Sequence, residues 1–332
     1  MDRRSMIVIM VMVVAPVMIA AQSVCPADDF MAEGKWVSGS ELDESFPQFT
    51  SGNRFSWPDG SITWQRTAYH FQPRENWMND GTNRLPWKMH VPELKTCISI
   101  DDSLQLLQSI PRVVVFDNKT RSHILQWPVE EVERLRLNST EFNGIKLGPG
   151  SNYTLDIGTA TDQLDISAEF EIDKEALEEN EDEHVNYDCW GGVAERGSFG
   201  PFGLLVNTHP TLSELTPIYF HIAKGTGGHP RTFFCADKTR SSKASSVDKE
   251  VYGAEVPVLY HENLSMRLLI DHSVVESFAQ GGRAVITVRI YPTEAIHEAA
   301  RLFVFNYATD VSVVASLKIW KMKSLSFEDY KD

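Results

Sequence analysis

The sequence predicts an all-β protein whose C-terminal part is an antiparallel β-sandwich, and three observations carry that prediction. Leu164, Ile166, Ala168, Phe170 and Ile172 alternate with Asp165, Ser167, Glu169 and Glu171, a period of two that puts apolar side chains on one face of a strand and leaves the other face wet. Short apolar runs separated by turn-forming residues recur from Val113 to Trp320. Helical periodicity is almost absent over the same stretch, and no repeat of 20–50 residues is visible.

The elements follow in order. Val113–Phe116 and Ile124–Trp127 flank Asp117-Asn118-Lys119-Thr120, the signature of a hairpin. Pro128 and the acidic residues after it open a short helix predicted over Glu130–Leu137, because proline suits a first helical turn and carboxylates suit its positive end. After Leu164–Ile172, further strands are expected at Phe202–Asn207, Pro217–Ala223, Arg231–Ala236, Met266–Ile270, Val274–Ala279, Ala284–Ile290, Leu302–Asn306 and Val311–Trp320. Gly225–Gly228 and Gln280-Gly281-Gly282-Arg283 read as turns between them. Gly81–Asp102 fits neither period, and Pro26–Trp57 is polar and aperiodic, a flexible lead-in.

With 31 Lys and Arg against 46 Asp and Glu, the 332-residue chain carries a formal charge of −15. Like charge repels phosphate backbones and anionic lipid surfaces, which argues against nucleic acid as a partner. Arg3 and Arg4 precede an uncharged run from Met6 to Ala21 closed by small residues, the order of a secretory leader over residues 1–23. The run is shorter than the roughly 20 residues that span a bilayer, so no stable membrane span is expected after cleavage. Asn118-Lys119-Thr120, Asn138-Ser139-Thr140, Asn152-Tyr153-Thr154 and Asn263-Leu264-Ser265 fit the N-glycosylation acceptor pattern and point to the same secretory route. Of the four cysteines, Cys189 and Cys235 fall in segments read as strands or their ends and are expected to bridge, while Cys25 falls beside the leader and Cys97 stands alone.

Few segments carry chemistry on their own. The acidic run Lys174–Glu183 lacks the spacing of a calcium loop and reads as a solvated stretch; no motif calls for a metal or a cofactor. Asp271-His272-Ser273 contains the residue types of a hydrolytic triad, but neighbours on a strand point to opposite faces and no nucleophile elbow is present. Trp77-Met78-Asn79-Asp80 sets an aromatic, an amide and a carboxylate at the end of a β-forming run, which reads first as an Asn-Asp turn and second as an arrangement suited to a sugar ring.

Tyr69-His70-Phe71-Gln72-Pro73 followed by Asn76-Trp77-Met78-Asn79-Asp80 closely resembles the start of plant acid invertases, the β-fructofuranosidases of glycoside hydrolase family 32. The resemblance continues in order over some 220 residues through Gln108-Ser109-Ile110-Pro111-Arg112, Leu125–Glu133, Ala168-Glu169-Phe170-Glu171, Gly200-Pro201-Phe202-Gly203-Leu204 and Asp271–Phe278. Phe55–Arg66 and Ser316–Trp320 look like the vacuolar branch. The resemblance implies a five-bladed propeller bearing the active site and then a sandwich. Asp80 would be the nucleophile, Asn79 a fructose contact and Trp77 part of the apolar wall. The substrates would be sucrose and other β-fructosides, with no cofactor, in the vacuole or the cell wall.

Retaining cleavage needs a second carboxyl group about 5–5.5 Å from the first, which the family supplies from a W-E-C motif. This chain has neither W-E-C nor R-D-P, and Gly81-Thr82-Asn83 stands where P-N-G belongs. Between Asp80 and Gln108 lie only 27 residues, whereas one propeller blade takes roughly 40. The expected organisation is therefore a leader or short anchor (1–23), a lead-in (24–61), a short propeller remnant (62–102) and the sandwich (103–332). Hydrolysis is expected to be weak or absent. The alternative is a non-catalytic sandwich that binds glycans or another invertase chain.

Overall fold

The computed structural model describes residues 68–70, 109–158, 161–172, 187–224 and 229–324. Fourteen strands form among them: β1 (Arg112–Phe116), β2 (Ile124–Pro128), β3 (Arg136–Leu147), β4 (Ser151–Thr154), β5 (Gln163–Ile172), β6 (Phe202–Thr208) and β7 (Thr216–Lys224), then β8 (Pro230–Asp237), β9 (Val251–Glu255), β10 (Leu264–Asp271), β11 (Val274–Ala279), β12 (Ala284–Arg289), β13 (Arg301–Asn306) and β14 (Val313–Met322). Two six-stranded antiparallel sheets, ordered β12-β11-β10-β5-β14-β3 and β4-β13-β6-β7-β8-β9, stack as a sandwich. Strands β1 and β2 form a separate hairpin.

The period of two decides what lies between the sheets. On β5, Leu164, Ile166, Ala168 and Phe170 are buried while Ser167, Glu169 and Glu171 are exposed. Phe170 reaches across to Phe202 and Phe220, with ring centroids 5.8 and 6.3 Å away, and joins a single apolar cluster drawn from both sheets. Asp165 departs from the expected pattern: it sits on the face predicted to be wet, yet is fully buried. Arg267 takes it in a two-pronged bond of 2.9 and 2.8 Å, and Arg136 adds a third at 2.8 Å. A carboxylate tolerates burial when charged donors meet its lone pairs in this way.

The expected helix is shorter and tighter than its sequence suggests. Residues Glu130–Leu135 form a 3-10 turn with no side-chain cap, and Arg136 is already extended, opening β3 beside Met322 of β14. Six uncapped residues gain too few hydrogen bonds to hold an α-helix against the nucleation cost. The hairpin turn is fixed by Asp117, whose carboxylate accepts from Lys119 N at 2.9 Å, Thr120 Oγ1 at 2.8 Å and Arg283 Nε at 2.7 Å. The β1–β2 hairpin lies over the outer face of the first sheet, with Trp127 edge-on to Phe278 of β11 at 5.7 Å. Gly282 has φ +94°, and a Cβ there would stand 2.0 Å from the Gln126 carbonyl, so only glycine lets the two backbones approach.

Beneath the hairpin is a second apolar cluster on that outer face: Tyr69, Ile110, Val132, Leu269, Phe278 and Met322. It brings residues far apart in sequence to one spot on the outer face, around Asp271 and Glu276. No helix among the described residues is long and apolar enough to cross a membrane.

Candidate functional site

Alternation along the β10–β11 hairpin aims its polar groups away from the main core. Ile270 pairs with Val275 and Leu268 with Ser277, whereas Leu269 pairs with Glu276 and Arg267 with Phe278. Ile270, Leu268 and Val275 enter the inter-sheet cluster, while Leu269 and Phe278 belong to the outer one. Glu276 therefore stands on the outer face among apolar neighbours, with Asp271 at the end of β10. Both are fully buried. What makes this possible is the Tyr69–His70 segment.

Asp271 accepts three successive backbone N–H groups, from Ala68 at 2.6 Å, Tyr69 at 2.8 Å and His70 at 2.7 Å. His70 Nδ1 donates to the same carboxylate at 2.9 Å, and His70 Nε2 donates to Glu276 Oε1 at 2.8 Å. Glu276 Oε1 also accepts Ile110 N at 2.7 Å, and Glu276 Oε2 accepts Arg112 at 2.7 Å. Arg112 is itself held by Thr287 Oγ1 at 2.8 Å, on the strand next to β11. Tyr69 turns its hydroxyl inward to donate to the Ile270 carbonyl at 2.8 Å. One carboxylate oxygen thus ties down His70 and Ile110, the two flanks of the span 71–109.

The protonation states follow from the surroundings. Burial alone would strip the proton from His70, but the hydrogen bonds to Asp271 and Glu276 outweigh it and raise its pKa from 6.5 to about 9. Burial would likewise push Glu276 up, yet the bond from His70 and the Arg112 charge bring it from 4.5 to about 2. Asp271 falls well below the usual carboxylate range, with burial opposed by bonds from histidine side chains and the Ala68 N–H. Tyr69, raised by burial and then by the charge of Asp271, stays a neutral donor. His70 is therefore an imidazolium between two carboxylates, with Arg112 as the second cation. This arrangement, with two carboxylates against two cations, is a clamp whose carboxylates are spent on holding the chain.

The clamp has a predicted pH window. His70 is raised in the folded state, so its contribution is complete below about 6.5 and is lost as pH rises through about 9. Glu276 is lowered, so its contribution is complete above about 4.5 and is lost as pH falls toward about 2. The urea midpoint is expected to be highest between those limits, and His70→Gln is expected to flatten the alkaline side of the profile.

Sequence reasoning did not single out this cluster as a site. Its one local signal is Glu276 in the otherwise apolar and small run Val274-Val275-Glu276-Ser277-Phe278-Ala279. The triad types at 271–273 serve a different end: Asp271 is committed to the clamp, His272 forms the β10–β11 turn at φ +51°, and Ser273 is buried. Trp77, Asn79 and Asp80 lie outside the described residues, as do the leader, Cys25, Cys97, Lys174–Glu183 and the turn at 225–228. Cys189 and Cys235 are joined, Cα to Cα 6.0 Å. All four sequon asparagines, Asn118, Asn138, Asn152 and Asn263, are exposed. Among the described residues no group of three or more His, Cys, Asp or Glu side chains is arranged to hold a metal.

Residues 131–321 match the family profile described as Glycosyl hydrolases family 32 C terminal. The chain belongs to glycosyl hydrolase family 32. It is 57% identical over 220 residues to the vacuolar acid beta-fructofuranosidase 2 of a Rosa hybrid cultivar, a match covering 66% of this chain and 34% of that protein. An acid beta-fructofuranosidase of Vicia faba is 57% identical over 226 residues, covering 68% and 35%. Among solved structures, fructan 1-exohydrolase IIa from Cichorium intybus is similar at a TM-score of 0.62 and 37% identity, over 67% of this chain and 42% of that one. The family 32 chain thus matches about a third of the length of these curated relatives.

Proposed function

We propose that this family 32 chain is the sandwich platform of a β-fructosidase with a much reduced catalytic part, and that it hydrolyses sucrose weakly or not at all. The observation that carries the reading is the clamp. His70 and Ile110 dock on the same oxygen of Glu276, and the span between those docking points is 39 residues, about one blade of four strands. A retaining glycosidase needs an attacking carboxylate and a proton donor opposite it, because one group alone cannot assist both departure and attack. In this reading Asp80 keeps the role of nucleophile, Asn79 that of a fructose contact and Trp77 that of an apolar wall, as the resemblance implies. The chain has no W-E-C glutamate to pair with Asp80.

The substrates, where any turnover occurs, are sucrose and other terminal β-fructosides. Two relatives are named acid beta-fructofuranosidases, and the chicory exohydrolase has been solved in complex with 1-kestose. A secretory destination, vacuole or cell wall, fits the leader, the sequons and the vacuolar name of the rose relative. A second reading, a non-catalytic module that associates with a full-length β-fructosidase, is favoured by one feature. Val113, Val115, Phe116 and Ile124 of the β1–β2 hairpin are all exposed, and clustered apolar surface of this kind tends to find a partner.

The deciding measurement is release of glucose and fructose from sucrose at acid pH by the purified full chain, with Asp80→Ala beside it. The expected result is a rate at or near background, with any turnover above background lost in Asp80→Ala. Ready turnover far above background, or weak turnover that survives Asp80→Ala, would overturn the proposal.

A further inference from the structure

A cleft of about 530 Å³ opens at one end of the sandwich, where the inner faces of the two sheets part. Phe170, Ile222, Val256 and Leu264 form its apolar floor, and Tyr260 and Asn263 stand on its lining. Asn263 is the acceptor position of the sequon Asn263-Leu264-Ser265, and Tyr260 precedes it by three residues. We propose that Asn263 carries an N-linked glycan whose first N-acetylglucosamine stacks on Tyr260 and covers this cleft, so that the sugar is a structural part of the fold.

The local backbone is built to hold the ring still. Residues Leu259–Glu262 form a tight turn closed by Glu262 N donating to the Leu259 carbonyl at 2.9 Å, with Tyr260 and His261 at its centre. The Glu262 carboxylate is gripped by Arg283 at 3.0 Å and by Lys119 at 3.2 Å. On the other side of Asn263, its carbonyl accepts from Gln280 Nε2 at 3.2 Å and Ser265 N donates to Gln280 Oε1 at 2.6 Å. The acceptor asparagine is therefore positioned between two pinned points. Tyr260 is 70% exposed, an uncommon state for a large aromatic on a rigid turn. An aromatic face carries negative charge density and attracts the polarised C–H groups of a pyranose, and a pre-ordered ring gives up little entropy on being covered. Asn118, Asn138 and Asn152 are exposed as well; among the sequon asparagines, Asn263 is the one that lines the cleft.

The modification step is a group transfer. The Asn263 amide nitrogen forms a bond to the anomeric carbon of an oligosaccharide carried on a lipid diphosphate. The bond from that carbon to the diphosphate oxygen breaks, the lipid diphosphate leaves, and the amide gives up one proton. The donor is supplied in the secretory route, so the inference depends on that passage and is independent of any fructosidase activity.

The test uses the full chain secreted from yeast. Glycopeptide mapping is expected to find N-acetylhexosamine on Asn263. Trimming the glycans to their first sugar is expected to leave Tm unchanged, whereas Asn263→Gln is expected to lower it by roughly 2–4 °C. Tyr260→Ala should lower Tm by a similar amount in the glycosylated protein and by nothing further in the Asn263→Gln background. The inference is overturned by an unmodified Asn263, or by a Tyr260→Ala shift of the same size in both backgrounds. An unmodified Asn263 beside glycosylated Asn118, Asn138 or Asn152 removes this inference alone; four unmodified sequons remove the secretory reading with it.

Discussion

Replacing Glu276 with alanine is expected to destabilise the sandwich by about 3–5 kcal/mol, since removing one partner of a buried ion pair leaves the other charge without compensation. Here two cations lose their partner at once. His70 keeps Asp271 on its other ring nitrogen, and Arg112 keeps the neutral Thr287 hydroxyl and the face of the Phe278 ring 5.3 Å away. The Ile110 N–H is orphaned as well, and an unmet buried donor carries its own cost of about 1–3 kcal/mol. Urea unfolding measures the sum, and amide exchange locates it: the Tyr69, His70 and Ile110 amides are expected to lose protection before those of β5 or β14. Glu276→Gln keeps the volume but turns an amide donor toward groups that are themselves donors, so it should recover only part of the loss. Lys318→Ala supplies the contrast. It breaks the Lys318–Glu141 pair, whose side chains are 43% and 51% exposed, and solvent-screened pairs of that kind contribute roughly 0.2–1 kcal/mol. A Glu276→Ala effect no larger than that of Lys318→Ala would mean that the clamp does not hold the segment.

The clamp also marks where the sequence could and could not be read. Central strands were legible because burial on one or both faces writes itself into residue choice: β11 is found at Val274–Ala279 as expected, and the alternation of β5 gives its inward face correctly. The strands that sequence missed are edges. β3, β4 and β9 each pair on one side within their sheets, and β4 and β9 span four and five residues. Edge strands bury little apolar surface, and β3 carries Asn138-Ser139-Thr140 where a central strand would carry valine or leucine. The clamp was illegible for a different reason. Its contacts join positions 201 and 206 residues apart, and no local period encodes which carboxylate will meet which histidine. Family resemblance marked both ends, Tyr69-His70 and Asp271–Phe278, without saying that they touch.

Opening the Cys189–Cys235 bridge is expected to cost about 4 kcal/mol, the chain-entropy value for a cross-link of this loop length. The linked cysteines are 46 residues apart, and the loop they close contains β6 and β7 entire and most of β8. Those three strands are the middle of the second sheet, so freeing the loop enlarges the unfolded ensemble of the segment that supplies Phe202 and Phe220 to the core. The bridge is also packed on: Gly253 of β9 faces it, and a Cβ there would lie 2.2 Å from Cys189 Sγ. Cys189→Ala with Cys235→Ala should therefore lower the urea midpoint strongly. Gly253→Ala should cost more while the bridge is present than in the cysteine-free background, where the 2.2 Å approach to Cys189 Sγ is gone but the 2.6 Å approach to the Cβ of residue 189 remains. Additivity of the two changes would sever the link between the β9 glycine and the disulfide. A stabilisation of this size exists only where thiols are oxidised, so the midpoint under reducing conditions should approach that of the cysteine-free variant.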